Sequence, residues 1–195
     1  MAHVKVVRRS MRPEEWTDLR FVWLQRGIYE DKFEITDLEI RDARQISEDQ
    51  YEYYSDEYRP LKKDDMYFTP DGTAFIRGHV QIPAHMKGKN IYFTLHTAAE
   101  MIVKINGKYV GGVDPNRERI LLNPYIDSDD LTIEIEAYNR SKPDDERNPA
   151  SLAHRGCRQI FEGAYLSTIR DNVQSLVYVY ILFMDIAHSE FFYED

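Results

Sequence analysis

The segment MIVKINGKYVGGV (101–113) constrains this chain more than any other. Asn106-Gly107 sits between two apolar runs, and a type I′ turn needs positive φ at both central positions, which Asn and Gly tolerate best. A two-residue turn joins only antiparallel neighbours. The rest of the middle third agrees. In Ala74–Ile82 the residues Ala74, Ile76, Val80 and Ile82 alternate with Phe75, Arg77, His79 and Gln81, and Pro83 ends the run. Ile91, Phe93 and Leu95 alternate with Tyr92, Thr94 and His96; Leu131, Ile133, Ile135 and Ala137 alternate with Thr132, Glu134 and Glu136. Period-two strands separated by turns, with no helices between them, predict antiparallel sheets packed as a sandwich or jelly roll. The expected core is Ile76, Val80, Ile91, Phe93, Leu95, Val103, Ile133 and Ile135.

The flanks read differently. Residues 1–62 are charged and Tyr-rich, with a helix expected from Pro13 that places Trp16, Leu19, Trp23 and Leu24 on one stripe. Phe33–Ile40 reads as one strand, and YEYYSDEYRP (51–60) as an edge strand running into a loop. After the polar loop SKPDDERNPAS comes a last strand around Gln159–Leu166. From Asp171, a plausible N-cap, the period becomes helical through Val173, Leu176, Val177, Tyr180, Ile181 and Met184. The expected division is an extension (1–62), the sandwich (63–170) and a C-terminal helix (171–195).

Composition bounds the function. A net charge of -9 disfavours a phosphate-binding surface, so nucleic acid and anionic membranes are not expected partners. Cys157 is the only cysteine, which rules out an intramolecular disulfide and a multi-cysteine zinc site. The basic start MAHVKVVRRS lacks an apolar stretch behind it, and the longest apolar run is too short to span a bilayer, so the cytoplasm is the expected compartment. The sequon at Asn139 carries no weight without a secretion signal.

Two blocks carry a resemblance. The block from Gly72 to Asp114, with a strand ending in Val80-Gln81-Ile82-Pro83 and then the hairpin from Val103 to Gly111, resembles the galactose-binding-like sandwich of several glycosidase families. FEGAYLSTIRDNVQSLVYVYILFMDIA (161–187) resembles the segment by which family 38 α-mannosidases of the cytosolic type leave their N-terminal sandwich. Gly163, Ala164 and Leu166 match the strand, Asp171 and Val173 the turn, and Leu176, Tyr180 and Ile181 the helix. The resemblance implies a mainly β, jelly-roll type sandwich with a few flanking helices, serving as the non-catalytic N-terminal scaffold of an α-mannosidase. It further implies a parent with an Asp nucleophile and zinc, or another divalent metal, on a His-x-Asp motif in a later barrel. No His here has an Asp two residues on; only His188 has a carboxylate there, Glu190. No cofactor or catalytic residue is therefore expected in this stretch, and the chain is expected to stop before the catalytic domain.

Candidate sites rank accordingly. The face bearing Phe75, Arg77 and His79 with Tyr92, Thr94 and His96 mixes rings and donors. That suits a carbohydrate, but aromatics and Arg are also enriched at interfaces, so a contact with the parent's catalytic domain is the first reading. Tyr51, Tyr53, Tyr54 and Tyr58 read as a half-wet strand before a sugar-stacking platform. Asp127-Ser128-Asp129-Asp130 reads as a turn before a calcium loop, since it lacks the Gly and distal Glu of an EF-hand. The pairs Asp144–Asp145 and Glu134–Glu136 read as solvated surface. A homo-oligomer is expected, and a carbohydrate-binding module that targets the parent to its glycan is the alternative function.

Overall fold

The computed structural model describes residues 21, 23–65, 72–96, 99–114, 117–138 and 161–190, the side chains of 185 and 187–190 excepted. It holds eleven strands among them: β1 (Tyr29–Ile35), β2 (Asp37–Ser47), β3 (Gln50–Tyr53), β4 (Arg59–Pro60), β5 (Thr73–Gln81), β6 (Tyr92–Leu95), β7 (Glu100–Ile105), β8 (Lys108–Val113), β9 (Arg119–Leu121), β10 (Asp130–Tyr138) and β11 (Ala164–Ile169). Residues 23–27 are helical, α1, and Asp171–Glu190 form α2. A 3-10 turn occupies Ala84–Met86.

The strands form two antiparallel sheets. The smaller has the order β1-β11-β6-β9; the larger runs β3-β2-β5-β10-β7-β8, with β4 also paired to β2. Alternation explains why they pack face to face. On β10 Leu131, Ile133, Ile135 and Ala137 are buried and every residue between them is exposed. Ile76, Val103, Ile133 and Ile135 from the larger sheet share one core with Phe93, Leu95, Ala164 and Leu166 from the smaller. All eight expected core residues are buried. The fold is the mainly β antiparallel sandwich read from the sequence.

The hairpin is as expected. Asn106 and Gly107 have φ of 50° and 74°. Asn106 also fastens the turn to the next strand: its Oδ1 accepts the Thr132 amide at 2.8 Å, and its own amide donates to the Thr132 carbonyl at 2.9 Å. Val110 has no partner in the β7–β8 register, which passes from Val103–Gly111 to Lys104–Tyr109. The bulge bends this edge strand and blunts it as a template for further pairing.

Several elements differ from expectation. Phe33–Ile40 is two strands broken at Thr36, β1 in one sheet and β2 in the other. Ile35 and Leu38 are both core residues three apart, a spacing one flat strand cannot bury on a single face. Residues 29–60, assigned by sequence to the extension, thus supply four strands of the two sheets. The last strand lies further along than expected, at Ala164–Ile169, and Gln159 and Ile160 fall outside the described residues. Asp171 belongs to the first turn of α2 instead of capping it.

By compactness Lys32–Thr168 forms one unit, and Met1–Asp31 with Ile169–Asp195 the other. Within the second, the Arg170 guanidinium donates to the carbonyls of Gly27 at 2.9 Å and Tyr29 at 2.5 Å, while its amide bonds Ile28. Tyr180 stacks on Phe21, and Val177 is buried. Trp23 is exposed, and Pro13, Trp16 and Leu19 lie outside the described residues. So do Cys157, the sequon and the Asp144–Asp145 pair. No helix among the described residues is long and apolar enough to cross a membrane.

Candidate interface on the outer face of the larger sheet

Strand register sets this face. Arg41, Phe75, Glu136 and Ile102 lie in one row across β2, β5, β10 and β7. The neighbouring row reads Glu39, Arg77, Glu134, Lys104 and Tyr109, alternating in charge until the final ring. Directly opposed unlike charges support such a pairing. The Arg77–Glu39 contact closes at 2.7 Å, and the Lys104 ammonium stands 4.5 Å from the centroid of Tyr109.

At the β3 end the face becomes aromatic. The Tyr51 ring meets Phe75 edge-on with centroids 4.9 Å apart, and Tyr53 lies 5.6 Å from the same ring. The Tyr51 hydroxyl donates to Glu136, and this bond to a carboxylate pushes the phenol up to about 12. The Arg41 guanidinium stands 3.6 Å from the Tyr53 centroid and 4.8 Å from that of Tyr58, while Arg77 lies 4.0 Å from Tyr58. One guanidinium therefore stands over the Tyr53 ring and two stand near the Tyr58 ring. Arg59 pairs with Asp42 at 3.2 Å. Arg41 Nε and Asp42 Oδ1 are buried without a hydrogen-bond partner.

The six residues expected on one face are divided between two sheets. Phe75 and Arg77 join the cluster. His79 lies further along the same side of β5 and contacts Asp130. Tyr92 and Thr94 project from β6, in the smaller sheet, and His96 directly follows that strand. Two strands with identical patterns carry no mark of which sheet each will join, so the sequence could not separate them. Thr94 is fully buried, its Oγ1 bonded to Ser167 at 2.7 Å. His96 Nδ1 lies 3.0 Å from Glu118 and its Nε2 lies 3.5 Å from Lys32 Nζ. The bond from His96 holds the Glu118 carboxyl below the usual carboxylate range; burial lowers Lys32, with Glu118 opposing. Of the four tyrosines, Tyr51, Tyr53 and Tyr58 are brought together and Tyr54 is exposed. Sequence reasoning missed Arg41, whose signal is only its place opposite Phe75.

The acidic loop does not converge. Asp127 pairs with Lys108 at 3.0 Å, which lowers its carboxyl, while Asp129 pairs with Lys87 and Asp130 with His79. No cluster of metal-ligating side chains occurs among the described residues. An open cleft of about 560 Å³ lies at one end of the sheets, lined by Phe33, Asp37, His79, Gln81, Pro83 and Lys87 among others.

No family model and no curated protein matches the chain. Among solved structures it is similar to a calcium-binding mutant of Bacteroides uniformis β-glucuronidase 2, at 18% identity and a TM-score of 0.45, over 70% of this chain and 18% of that one. It is also similar to the β-D-glucuronidase of Dictyoglomus thermophilum, at 16% identity and a TM-score of 0.40, over 71% of this chain and 28% of the other. Both are β-glucuronidases, not α-mannosidases, and the chain spans less than a third of either.

Proposed function

We propose that this chain is a non-catalytic β-sandwich scaffold of a glycosidase, packing the outer face of its larger sheet against the catalytic domain of the same polypeptide. The observation that carries this is the packing of Arg41 and Arg77 over Tyr53 and Tyr58. A sugar-stacking platform needs open ring faces. Here guanidinium groups stand over the Tyr53 and Tyr58 rings, making a preassembled patch of Tyr and Arg of the composition that dominates interface energetics. The blocks at 72–114 and 161–187 support the finer reading, an α-mannosidase parent acting in the cytoplasm with zinc or another divalent metal in its barrel. The test is an α-mannosidase assay of the full gene product. Arg77→Glu with Tyr58→Ala should hasten thermal inactivation and leave KM unchanged. The chain alone should release nothing from a chromogenic mannoside with or without zinc or cobalt; zinc-dependent release would overturn the reading.

A second reading rests on the end cleft. Phe33, 40% exposed, offers a ring beside the polar groups of His79, Gln81 and Lys87. A volume of this size and mixture fits a small ligand, and a sugar presents both CH faces and hydroxyls. NMR titration with α-mannosides tests it: saturable shifts at Phe33 and His79 would favour a carbohydrate-binding module.

A further inference from the structure

A polar chain of three side chains links the two edge strands of the smaller sheet. Lys32 stands on β1, Glu118 immediately precedes β9, and His96, directly after β6, lies between them. The His96 Nδ1 is 3.0 Å from Glu118 and its Nε2 is 3.5 Å from Lys32 Nζ. Backbone holds the acid in place, since the Glu118 carbonyl accepts the Leu95 amide at 3.0 Å. The ends of this chain fix the state of its middle. A carboxylate only accepts and an ammonium only donates. An imidazole that serves both is neutral, with its proton on Nδ1 and the Nε2 lone pair facing the amine.

That order is the one that activates a nucleophile: attacking group, base, and an acid that orients the base. Burial around the Lys32 ammonium lowers it; Glu118 opposes the shift, and the charges of Arg119 and Lys63 reinforce it. The Tyr165 ring flanks the site with its centroid 5.3 Å from Nζ. The Lys32 side chain is nonetheless exposed, so a reagent can reach it.

We propose that Lys32 is an acylation site, taking an acyl group from an activated donor such as a thioester or aryl ester, with His96 as proton acceptor and Glu118 as the positioning residue. The ammonium first yields one proton to water. The Nζ lone pair then attacks the acyl carbon, and a second proton passes from the nitrogen to His96 Nε2. The bond from the acyl carbon to the thiolate or aryloxide breaks, the leaving group keeps the electron pair, and His96 returns its proton to solvent. The product is a neutral amide at Lys32, and no group changes oxidation state.

Limited acetylation of the full chain by p-nitrophenyl acetate at neutral pH, resolved by lysine through peptide mass spectrometry, tests this. Lys32 should acetylate at least about tenfold faster than Lys89, an exposed lysine of the turn before β6. That is a modest share of the roughly 10²–10⁴-fold that a positioned base supplies. His96→Gln should bring Lys32 down to the rate of Lys89. Glu118→Gln should slow Lys32 when His96 is present and have no further effect once it is gone, which a merely structural role would not produce. Circular dichroism checks that each variant folds, and the ratio of Lys32 to Lys89 in the unaltered chain decides the matter even if one does not. A Lys32 no faster than Lys89 would overturn the proposal. So would an advantage that survives His96→Gln, or a Glu118→Gln effect that is the same with and without His96.

Discussion

The guanidinium of Arg41 lies 3.6 Å from the centroid of the Tyr53 ring, on the outer face of a sheet whose other face is the core. Polar residues at outward strand positions ordinarily stand in water, each for itself. Arg41, Tyr53, Tyr58, Arg77 and Phe75 instead hold one another. Cation–π pairs at exposed sites contribute roughly 0.5–1 kcal/mol each. Tyr58→Ala, which removes two of them, should lower chain stability by about 1–2 kcal/mol in chemical denaturation, and Tyr58→Phe should retain most of it.

The core predicts a sharper contrast between the two faces of one sheet. Ile133 is fully buried, and its truncation to Ala should cost about 2–5 kcal/mol. Ile102 is half exposed on the opposite face of the same sheet. Its truncation should change the unfolding free energy from chemical denaturation by less than about 0.5 kcal/mol, as at most surface sites.

Gly78 has a space requirement instead of a conformational one. A Cβ there would run into the Leu38 side chain and come within 2.5 Å of the Asp37 carbonyl oxygen. Gly78→Ala should therefore destabilise by about 1–3 kcal/mol through overpacking. Gly112→Ala, whose Cβ would stand 3.4 Å from the Met101 carbonyl oxygen, should be far milder by thermal melting.

Two groups set pH dependence at opposite ends. Tyr51 is raised to about 12 by its bond to Glu136, so the folded state holds the phenol proton that the unfolded chain releases near 10. That stability is complete below pH ~10 and is lost as pH rises towards 12. Glu118 is depressed by His96, so its contribution is present above the ordinary Glu range and is lost as pH falls through the lowered value. Tyr51→Phe should flatten the alkaline limb of stability against pH, and Glu118→Gln the acid limb, each leaving the other limb in place.

The fold was legible where one physical signal decided it. Asn106-Gly107 specified its turn, and the alternation from Leu131 to Ala137 specified which face of β10 is buried. The site was legible only in part. Phe75 and Arg77 were identified as outward residues, but their neighbours come from register between distant segments: Arg41 opposes Phe75 across 34 positions of sequence. Tyr92 and His96 were misplaced beside them because alternation reports a face and not the sheet that owns it. The break at Thr36 was visible in principle, since Ile35 and Leu38 violate period two.

On the proposed function, the outer face of the larger sheet is covered by another domain of a longer polypeptide. Hydroxyl-radical footprinting of side chains, comparing this chain alone with the full gene product, tests it most directly. Tyr53, Phe75 and Tyr109 should be modified in the isolated chain and strongly protected in the longer product, while Tyr54, outside the ring–guanidinium cluster, should react similarly in both. Equal modification of Tyr53, Phe75 and Tyr109 in the two samples, or a gene product with no further domain, would contradict the account.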